Sequence, residues 1–479
     1  MTGTRNLLIM KFGGTSVGTA ERIRQAARLV EREARRRPVV VVVSAMAGVT
    51  DLLLRAVEAA RAQDDAALEA ALSSIENRHE ATLGELLAEP LRTAVGREVR
   101  AVLQQFRSFC AALRMLRSVT PQAVDVVLPM GERMAAFLLA AELQQRGVAA
   151  EAVDAARVLV TDERFGDANP LMDATRARAG EVLAPLFAAA TVPVVTGFGG
   201  ATLAGQPTTL GRGGSDSSAT ILGAALDASE IWIWTDVDGV LTADPRLCPH
   251  AHTLETVTFA EAIELSYYGA KVIHHKAIRP VVAPGIPVWI KNSFRPEVPG
   301  TRIHGQTPRT PASSPVRAVT VVQPASLLTL TTRADTHFAE LFGRLFLRLG
   351  HDNVDVLFST QSSSENSLGL VLRQADHDRV LAAIQRLFRM ELKHGALRPI
   401  SVQTEMAVVA VLGESMKGTC GILGRLFSAV AAREISVIAV AQGASELNIC
   451  FAVPARQAAD AVRAVHDAFC IVPELQTVS

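Results

Sequence analysis

The run Lys11-Phe-Gly-Gly-Thr-Ser-Val-Gly18 closes an apolar stretch and puts a lysine just ahead of a glycine pair. Where a strand meets a helix, such glycines let backbone N–H groups approach a phosphate; the helix dipole favours the anion, and Lys11 adds a point charge. The lysine precedes the glycines, so this is no Walker A loop, and the G-x-G-x-x-G dinucleotide pattern fails at Ser16. Gly211-Arg-Gly-Gly-Ser-Asp216 is a second glycine loop. Arg212 can hold a carboxylate or phosphate bidentately, and Asp216 can accept from an ammonium group or a metal-bound water. A third polar cluster, Thr235-Asp236-Val-Asp238-Gly239 with Asp244-Pro-Arg246, suits the ribose and base of a nucleotide at a strand's C-terminal edge.

Each segment also has a plain structural reading. Glycine-rich turns need no ligand, Asp216 can cap a helix, and Asp-Gly builds an ordinary turn. Ser44 and Thr50 flank a turn and can be helix caps, Glu132 can be a first-turn dipole partner, and Lys271 can be a solvated helix residue. His250/His252 and His274/His275 lack the i, i+4 spacing of a helical metal site and have no cysteine cluster beside them, so no protein metal ligand is assigned. Phosphoryl transfer would use Mg²⁺ bridging nucleotide phosphates, which asks little of the protein.

Positioning these loops takes alternating strands and helices. Leu7–Phe12, Val39–Val43, Ala123–Leu128, Val192–Thr196 and Ile231–Thr235 read as strands, with helices over Glu21–Arg37, Glu132–Arg146 and Ser217–Leu226. The pattern predicts an α/β fold, a doubly wound and mostly parallel sheet with ligands at the strands' C-terminal ends. Asp51–Arg117, rich in Ala, Leu, Glu and Arg, reads as a helical insertion. Ser293–Pro315 carries five prolines and reads as a connection. Beyond it Gln361-Ser-Ser-Ser-Glu365 and Gln442-Gly-Ala-Ser-Glu446 repeat at an offset of 442 − 361 = 81 residues. Helices over His337–Leu349, Asp376–Phe388, Gly421–Arg433 and Ala455–Phe469, with short strands between, predict two βαββαβ modules of the split-βαβ type.

The chain of 479 residues is long enough for several domains. Lys+Arg and Asp+Glu both total 48, which argues against binding nucleic acid through a global basic field. Five scattered cysteines form no C-x-x-C pair, which excludes a disulfide scaffold and fits a reducing compartment. The N-terminal residues show no signal-sequence pattern, and no apolar run approaches the ~20 residues of a membrane span. A soluble cytoplasmic protein, with neither nucleic-acid nor membrane partner, is expected.

In order, Lys11–Val17, Ser44–Thr50 (Ser-Ala-Met-Ala-Gly-Val-Thr), Gly131-Glu132, Thr208–Asp216, Trp234–Val240 and Gly269–Val272 (Gly-Ala-Lys-Val) resemble the aspartate kinases of the amino acid kinase superfamily. The C-terminal repeat resembles that family's tandem ACT modules, and its Gln-x-x-Ser-Glu motifs resemble those of bifunctional aspartate kinase–homoserine dehydrogenases. The resemblance implies a kinase domain over 1–300, a linker over 301–315, and ACT modules (ferredoxin-like) over 316–398 and 399–479. It implies transfer of the ATP γ-phosphate, with Mg²⁺, to the β-carboxylate of L-aspartate, giving 4-phospho-L-aspartate, the first step towards lysine, threonine and methionine.

By that pattern Lys11, Lys271 and Asp216 carry the catalysis. Lys11, Gly13, Gly14, Thr235, Asp236, Arg246 and Lys271 hold ATP. Ser44, Thr50, Glu132 and Arg212 bind the amino acid, and Gln361 and Gln442 match effector positions, threonine being favoured over lysine. A homodimer or larger assembly through the ACT modules is expected, as is a monofunctional kinase, since no dehydrogenase segment follows the modules in this sequence. Three departures stand out: Leu241 replaces a common tyrosine, Asp154-Ala-Ala-Arg157 replaces Asp-x-Arg, and His274-His275 replaces His-Pro. The competing readings are another kinase of the superfamily and an amino-acid sensor that has lost its chemistry.

Overall fold

A computed structural model describes residues 6–270, 273–305, 314–333, 338–352 and 354–469. The chain divides into two compact units. The first comprises Met1–Val240, Glu255–Phe259 and Val272–Thr307; the second comprises Leu241–Leu254, Ala260–Lys271 and Pro308–Ser479.

The first unit is built on an eight-stranded sheet in the order Ala150–Val153, Val192–Thr196, Val39–Val43, Leu8–Phe12, Glu230–Thr235, Val288–Asn292, Thr301–His304, Thr256–Thr258. Every neighbouring pair is parallel except Val288–Asn292 with Thr301–His304. Leu8–Phe12, Val39–Val43 and Val192–Thr196 are buried at every position, which is why they read as nearly continuous apolar runs, broken by Lys11 and ending in Thr196, rather than alternating ones. Thr19 caps the helix Ala20–Ala34, its side chain accepting from the Arg22 amide, and Pro38 separates that helix from the next strand. The insertion is three helices, Val49–Ala62, Asp65–Leu86 and Leu91–Leu116. Leu53, Ile75, Val99 and Phe106 join one hydrophobic cluster with Met10, Val41 and Trp234 of the sheet, so the insertion is part of the core.

Two expectations need correction here. Ala123–Leu128 is not a strand; Pro121–Val127 is a helix. Thr120 accepts from the Ala123 amide at 3.2 Å, and Pro121 at the first helical position has its φ already set for the turn. Buried Asp125 sits inside this short helix and accepts from Thr209 Oγ1 at 2.5 Å and the Gly166 amide at 2.8 Å, a polar anchor that an apolar-run reading overlooks. Second, Thr301–His304 is not linker but a strand of the sheet, because Ile290 and Thr301 pair directly. Residues 306–313 of the expected linker lie outside the described residues.

All three tryptophans lie on two adjacent strands of this sheet. Trp234 is buried, with Phe12 stacked on it at a centroid distance of 6.1 Å and an interplanar angle of 3°. Lys291 Nζ lies 5.2, 5.7 and 5.1 Å from the ring centroids of Trp232, Trp234 and Trp289. Burial holds that ammonium below the ordinary lysine range.

The second unit carries a six-stranded antiparallel sheet: Val356–Ser362, Ser367–Arg373, Ala318–Thr331, Ser401–Leu412, Asn448–Pro454, Ala439–Gln442. Its two long central strands are shared. Ala318–Val322 pairs with Val408–Leu412, beside Asn448–Pro454, while Ala325–Thr331 pairs with Ser367–Arg373, beside Ser401 and Val402. The second βαββαβ module thus takes its fourth strand, 318–322, from ahead of the first module, whereas the first module's fourth strand, 401–403, follows its own helices directly. Residues 318–322 belong with the second module and 401–403 with the first, which corrects the division at 398/399. The register shifts between Val322 and Ala325, where Pro324 has no N–H to give the ladder.

Two stretches expected in the kinase domain fold instead with this unit. Ala243 and Cys248 enter the core around Val319, Phe451 and Val462. Thr242 Oγ1 is 3.1 Å from His466 Nε2, and Arg463 donates to the Leu247 carbonyl at 3.0 Å. Tyr267 and Tyr268 donate their hydroxyls to the Val356 and Leu357 carbonyls of an edge strand at 2.7 and 3.2 Å.

Candidate active site

In the first unit a cavity of about 310 Å³ opens at the C-terminal ends of the central strands. It is lined by Lys11 and Gly14, by the Ser44–Gly48 turn and Thr50, by Glu132, by Phe198, and by Gly213–Asp216. Leu8–Phe12 delivers Lys11, and parallel pairing sets Phe12 beside Val43 and Trp234. The Gly13 amide donates to the Trp234 carbonyl at 3.1 Å, so the first glycine loop leaves the sheet beside Thr235. A Cβ on Gly14 would stand 2.8 Å from the Ala45 carbonyl oxygen, so the two loops approach this closely only with glycine there. The Ala47 amide donates to the Gly14 carbonyl at 3.1 Å and the Ser44 amide to Phe12 at 3.0 Å, which binds the second wall to the first.

Lys11 Nζ stands 2.5 Å from Asp216 Oδ1, both largely buried. Asp216 does not cap its helix: Gly214–Ala225 is preceded by Gly213, and Asp216 lies inside the first turn. Nor does Thr50 cap Val49–Ala62, whose N-cap is Gly48 without a side-chain bond. Glu132, in the first turn of Pro129–Gln145, is 4% exposed, and its Oε2 meets no hydrogen-bond partner. Burial pushes its carboxyl up to about 8, against the opposing pull of the Ala45 amide, its own amide and the Lys11 charge. A buried carboxyl oxygen without a partner is costly, and Glu132 is among the residues that line the cavity.

The cavity gathers Lys11, Gly14, Ser44, Thr50, Glu132 and Asp216 from four segments of the sequence. Arg212 is exposed beside it, one residue before Gly213 of the wall. Gly13, Thr235 and Asp236 follow the strand ends next to it; Thr235 donates to Asp236 at 3.2 Å, and Asp238 accepts from Asn292 at 2.7 Å. Arg246 is exposed in the second unit, forked onto Asp244 at 3.0 and 2.7 Å. Lys271 lies outside the described residues. Phe198 and Ser215 are lining residues that the sequence reading passed over. The glycines around Phe198, in Gly197-Phe-Gly-Gly, were the available signal: this residue adopts φ +69° and donates its amide to Ser218 Oγ at 3.0 Å.

The departures are accommodated. His274 caps His275–Val282, its ring accepting from the Lys276 amide at 3.3 Å, so the helix starts without proline. Asp154 caps Ala155–Arg157, and Leu241 bridges to Thr253. Gln361 and Gln442 are exposed at the ends of the two edge strands, paired with Leu368 and Ile449. A second cavity, of about 770 Å³, is lined by Thr331–Arg333, Ser364–Asn366 and Arg398; Ser364 and Glu365 of the first repeat motif line it and Gln361 does not. Among the described residues there is no group of three His, Cys, Asp or Glu side chains that would hold a metal, and no helix long and apolar enough to cross a membrane.

The amino acid kinase family pattern matches residues 6–292, and an ACT domain pattern matches 409–469. The chain belongs to the amino acid kinase family. Within this family it is 33% identical over 460 residues to lysine-sensitive aspartokinase 3 of Escherichia coli, covering 96% of this chain and 98% of that one. It is 32% identical over 466 residues to a chloroplastic bifunctional aspartokinase/homoserine dehydrogenase of Arabidopsis thaliana, and it spans about half (51%) of that relative's length. The solved structure of Escherichia coli aspartokinase III with aspartate and ADP, described as the R-state, aligns with a TM-score of 0.83 at 31% identity, covering 97% of this chain and all of that one. The same enzyme with lysine and aspartate, in the T-state, aligns at 0.77 and 32% identity over 97% and 99% of the two chains. Both the kinase fold and the regulatory modules of the family are therefore present here.

Proposed function

We propose that this protein is an aspartate kinase, transferring the ATP γ-phosphate to the β-carboxylate of L-aspartate. The observation that carries this reading is Glu132: a buried carboxyl with an open oxygen, in the same cavity as the Lys11–Asp216 pair. An α-ammonium group supplies the missing donor, and Asp216 adds a second negative partner. Arg212 takes the α-carboxylate, while Ser44 and Thr50 complete the pocket. The nucleophile is already an anion at neutral pH, so no general base is required, and positioning with charge neutralisation supplies the catalysis. Lys11 and Lys271 offset charge on the transferred group. Gly13 and Gly14 present backbone amides to phosphate, with Thr235, Asp236 and Arg246 around the nucleotide. Asp216, with its hard carboxylate oxygens, would help hold a Mg²⁺ brought with ATP, which would supply charge neutralisation at the phosphates.

Feedback by an amino acid acts through the ACT modules. Threonine follows from the Gln361 and Gln442 motifs and lysine from the Escherichia coli relative; the charged rim of the second cavity, Glu365 with Arg333 and Arg398, suits the zwitterion of either. The kinase works as a homo-oligomer in the cytoplasm and feeds lysine, threonine and methionine synthesis. MgATP-dependent acyl phosphate formed from L-aspartate, trapped as the hydroxamate with glutamate as control, tests the activity. Suppression by added threonine or lysine identifies the effector. Binding of either effector without turnover would replace the kinase with a sensor.

A further inference from the structure

The helical insertion carries many arginines, and most are spent on its own carboxylates. Arg92 pairs with Glu89, Arg100 with Glu80, Arg107 with Glu69 and Glu76, and Arg114 with Asp65. Arg78, on Asp65–Leu86, is different. It forms no ion pair among the described residues, and its Nη1 donates out of the insertion to the Ala47 carbonyl. Ala47 and Gly48 line the cavity that holds Lys11, Glu132 and Asp216. Gly48 has φ +81°, and Arg78 Nη1 lies 3.5 Å from where its Cβ would stand.

The helix beneath Arg78 is held in place. Ile75 and His79 are completely buried, with His79 Nδ1 2.7 Å from the Ile75 carbonyl, so the turn that presents Arg78 cannot drift from the core. The Ser44–Thr50 turn is therefore gripped from two sides. Gly14 takes the Ala47 amide from within, and Arg78 takes the Ala47 carbonyl from without. One residue carries both bonds, through the peptide groups on either side of its Cα, and Ser44, the Ala45 amide facing Glu132, and Thr50 all lie within three residues of it.

We propose that Arg78 is a positioning residue for the amino-acid substrate: its bond to Ala47 fixes the Ser44–Thr50 turn and so sets the affinity for the acidic substrate. This rests on reading the cavity as the aspartate site. Its consequence for the turn itself can be measured without turnover.

The test combines hydrogen exchange with kinetics on the full chain. In R78A, amides of residues 44–50 should exchange about tenfold faster, the scale of losing a charged hydrogen bond, while the Leu8–Phe12 strand is unchanged. KM for aspartate should rise about tenfold with KM for ATP and kcat within about twofold, and R78K should fall between parent and alanine. R100A, which loses only an exposed pair, should match the parent. Parental exchange and parental KM in R78A would overturn the proposal, as would a uniform loss of protection across the unit. If R78A does not fold, R78K and R78Q carry the comparison, and parental behaviour in both overturns it. Faster exchange at 44–50 in a chain that does not phosphorylate aspartate would leave the clamp standing and remove the kinase reading.

Discussion

The residues expected to hold the amino acid and some of those expected to hold the nucleotide part company in the fold. Ser44, Thr50 and Glu132 of the first set line one cavity in the first unit, with Asp216 and with Lys11 and Gly14 of the second. Arg246, assigned to ATP with equal force, folds with the ACT modules on a segment whose flanking residues sit in their core. The cavity is thus a property of the first unit alone. One member of the expected nucleotide set belongs instead to the unit that carries the six-stranded antiparallel sheet.

The largest effect should come from Lys11, whose Nζ stands 2.5 Å from Asp216 in the cavity. Lys11→Met should cut kcat at least about 10²- to 10³-fold, the scale seen when one preorganised electrostatic group is removed, with the circular dichroism spectrum retained. Near-parental turnover would remove Lys11 from the chemistry. Glu132→Gln should come next and stay confined to the amino-acid side. With the carboxyl at about 8 in the free protein, aspartate must displace a proton at pH 7. Parent affinity for aspartate should therefore climb as pH rises from 6 to 8, with protons released on binding in calorimetry; the variant should bind weakly at every pH.

The same group has a stability signature. Its folded value lies above its unfolded one, so its contribution is complete below the ordinary glutamate range and is lost as pH rises through about 8. Glu132→Gln should flatten that decline in thermal scans, and an unchanged slope would deny the carboxyl its burial.

Smaller changes probe the nucleotide side. Arg246→Ala should raise KM for ATP several-fold, shift the inhibition curve, and leave KM for aspartate alone; a change in the aspartate term only would erase the contrast between the two units. Gln442→Ala should weaken feedback at unchanged basal rate. The smallest effect belongs to Arg107→Ala, whose partly exposed pairs with Glu69 and Glu76 are worth at most about 1 kcal/mol in a melt.

Much of this was legible in the chain. Val39–Val43 and Val192–Thr196 were read at their observed bounds, because a doubly buried parallel strand is a short apolar run between breakers. Ala123–Leu128 failed on the same rule: a half-buried helix of seven residues is too short for its period to show, and its decisive features, Thr120 and Asp125, act through single hydrogen bonds. The displaced fourth strand of the second module was invisible for another reason. Local sequence specifies that Ala318–Val322 and Ser401–Leu412 are strands, while the choice of neighbour is a long-range register. In the site, charged residues announced themselves, whereas Phe198 and Ala47 contribute backbone shape, which residue type does not encode.

The tryptophans give the molecule a built-in optical gauge. Trp234 lies flat against Phe12, its carbonyl holds the Gly13 amide, and Lys291 stands over its ring. An anion arriving at Lys11 and the glycine turn changes the field at an indole only a strand away. Quenching or a spectral shift of the intrinsic emission should then report nucleotide occupancy in real time, with no label attached, and distinguish it from a ligand bound in the second unit, whose sequence contains no tryptophan.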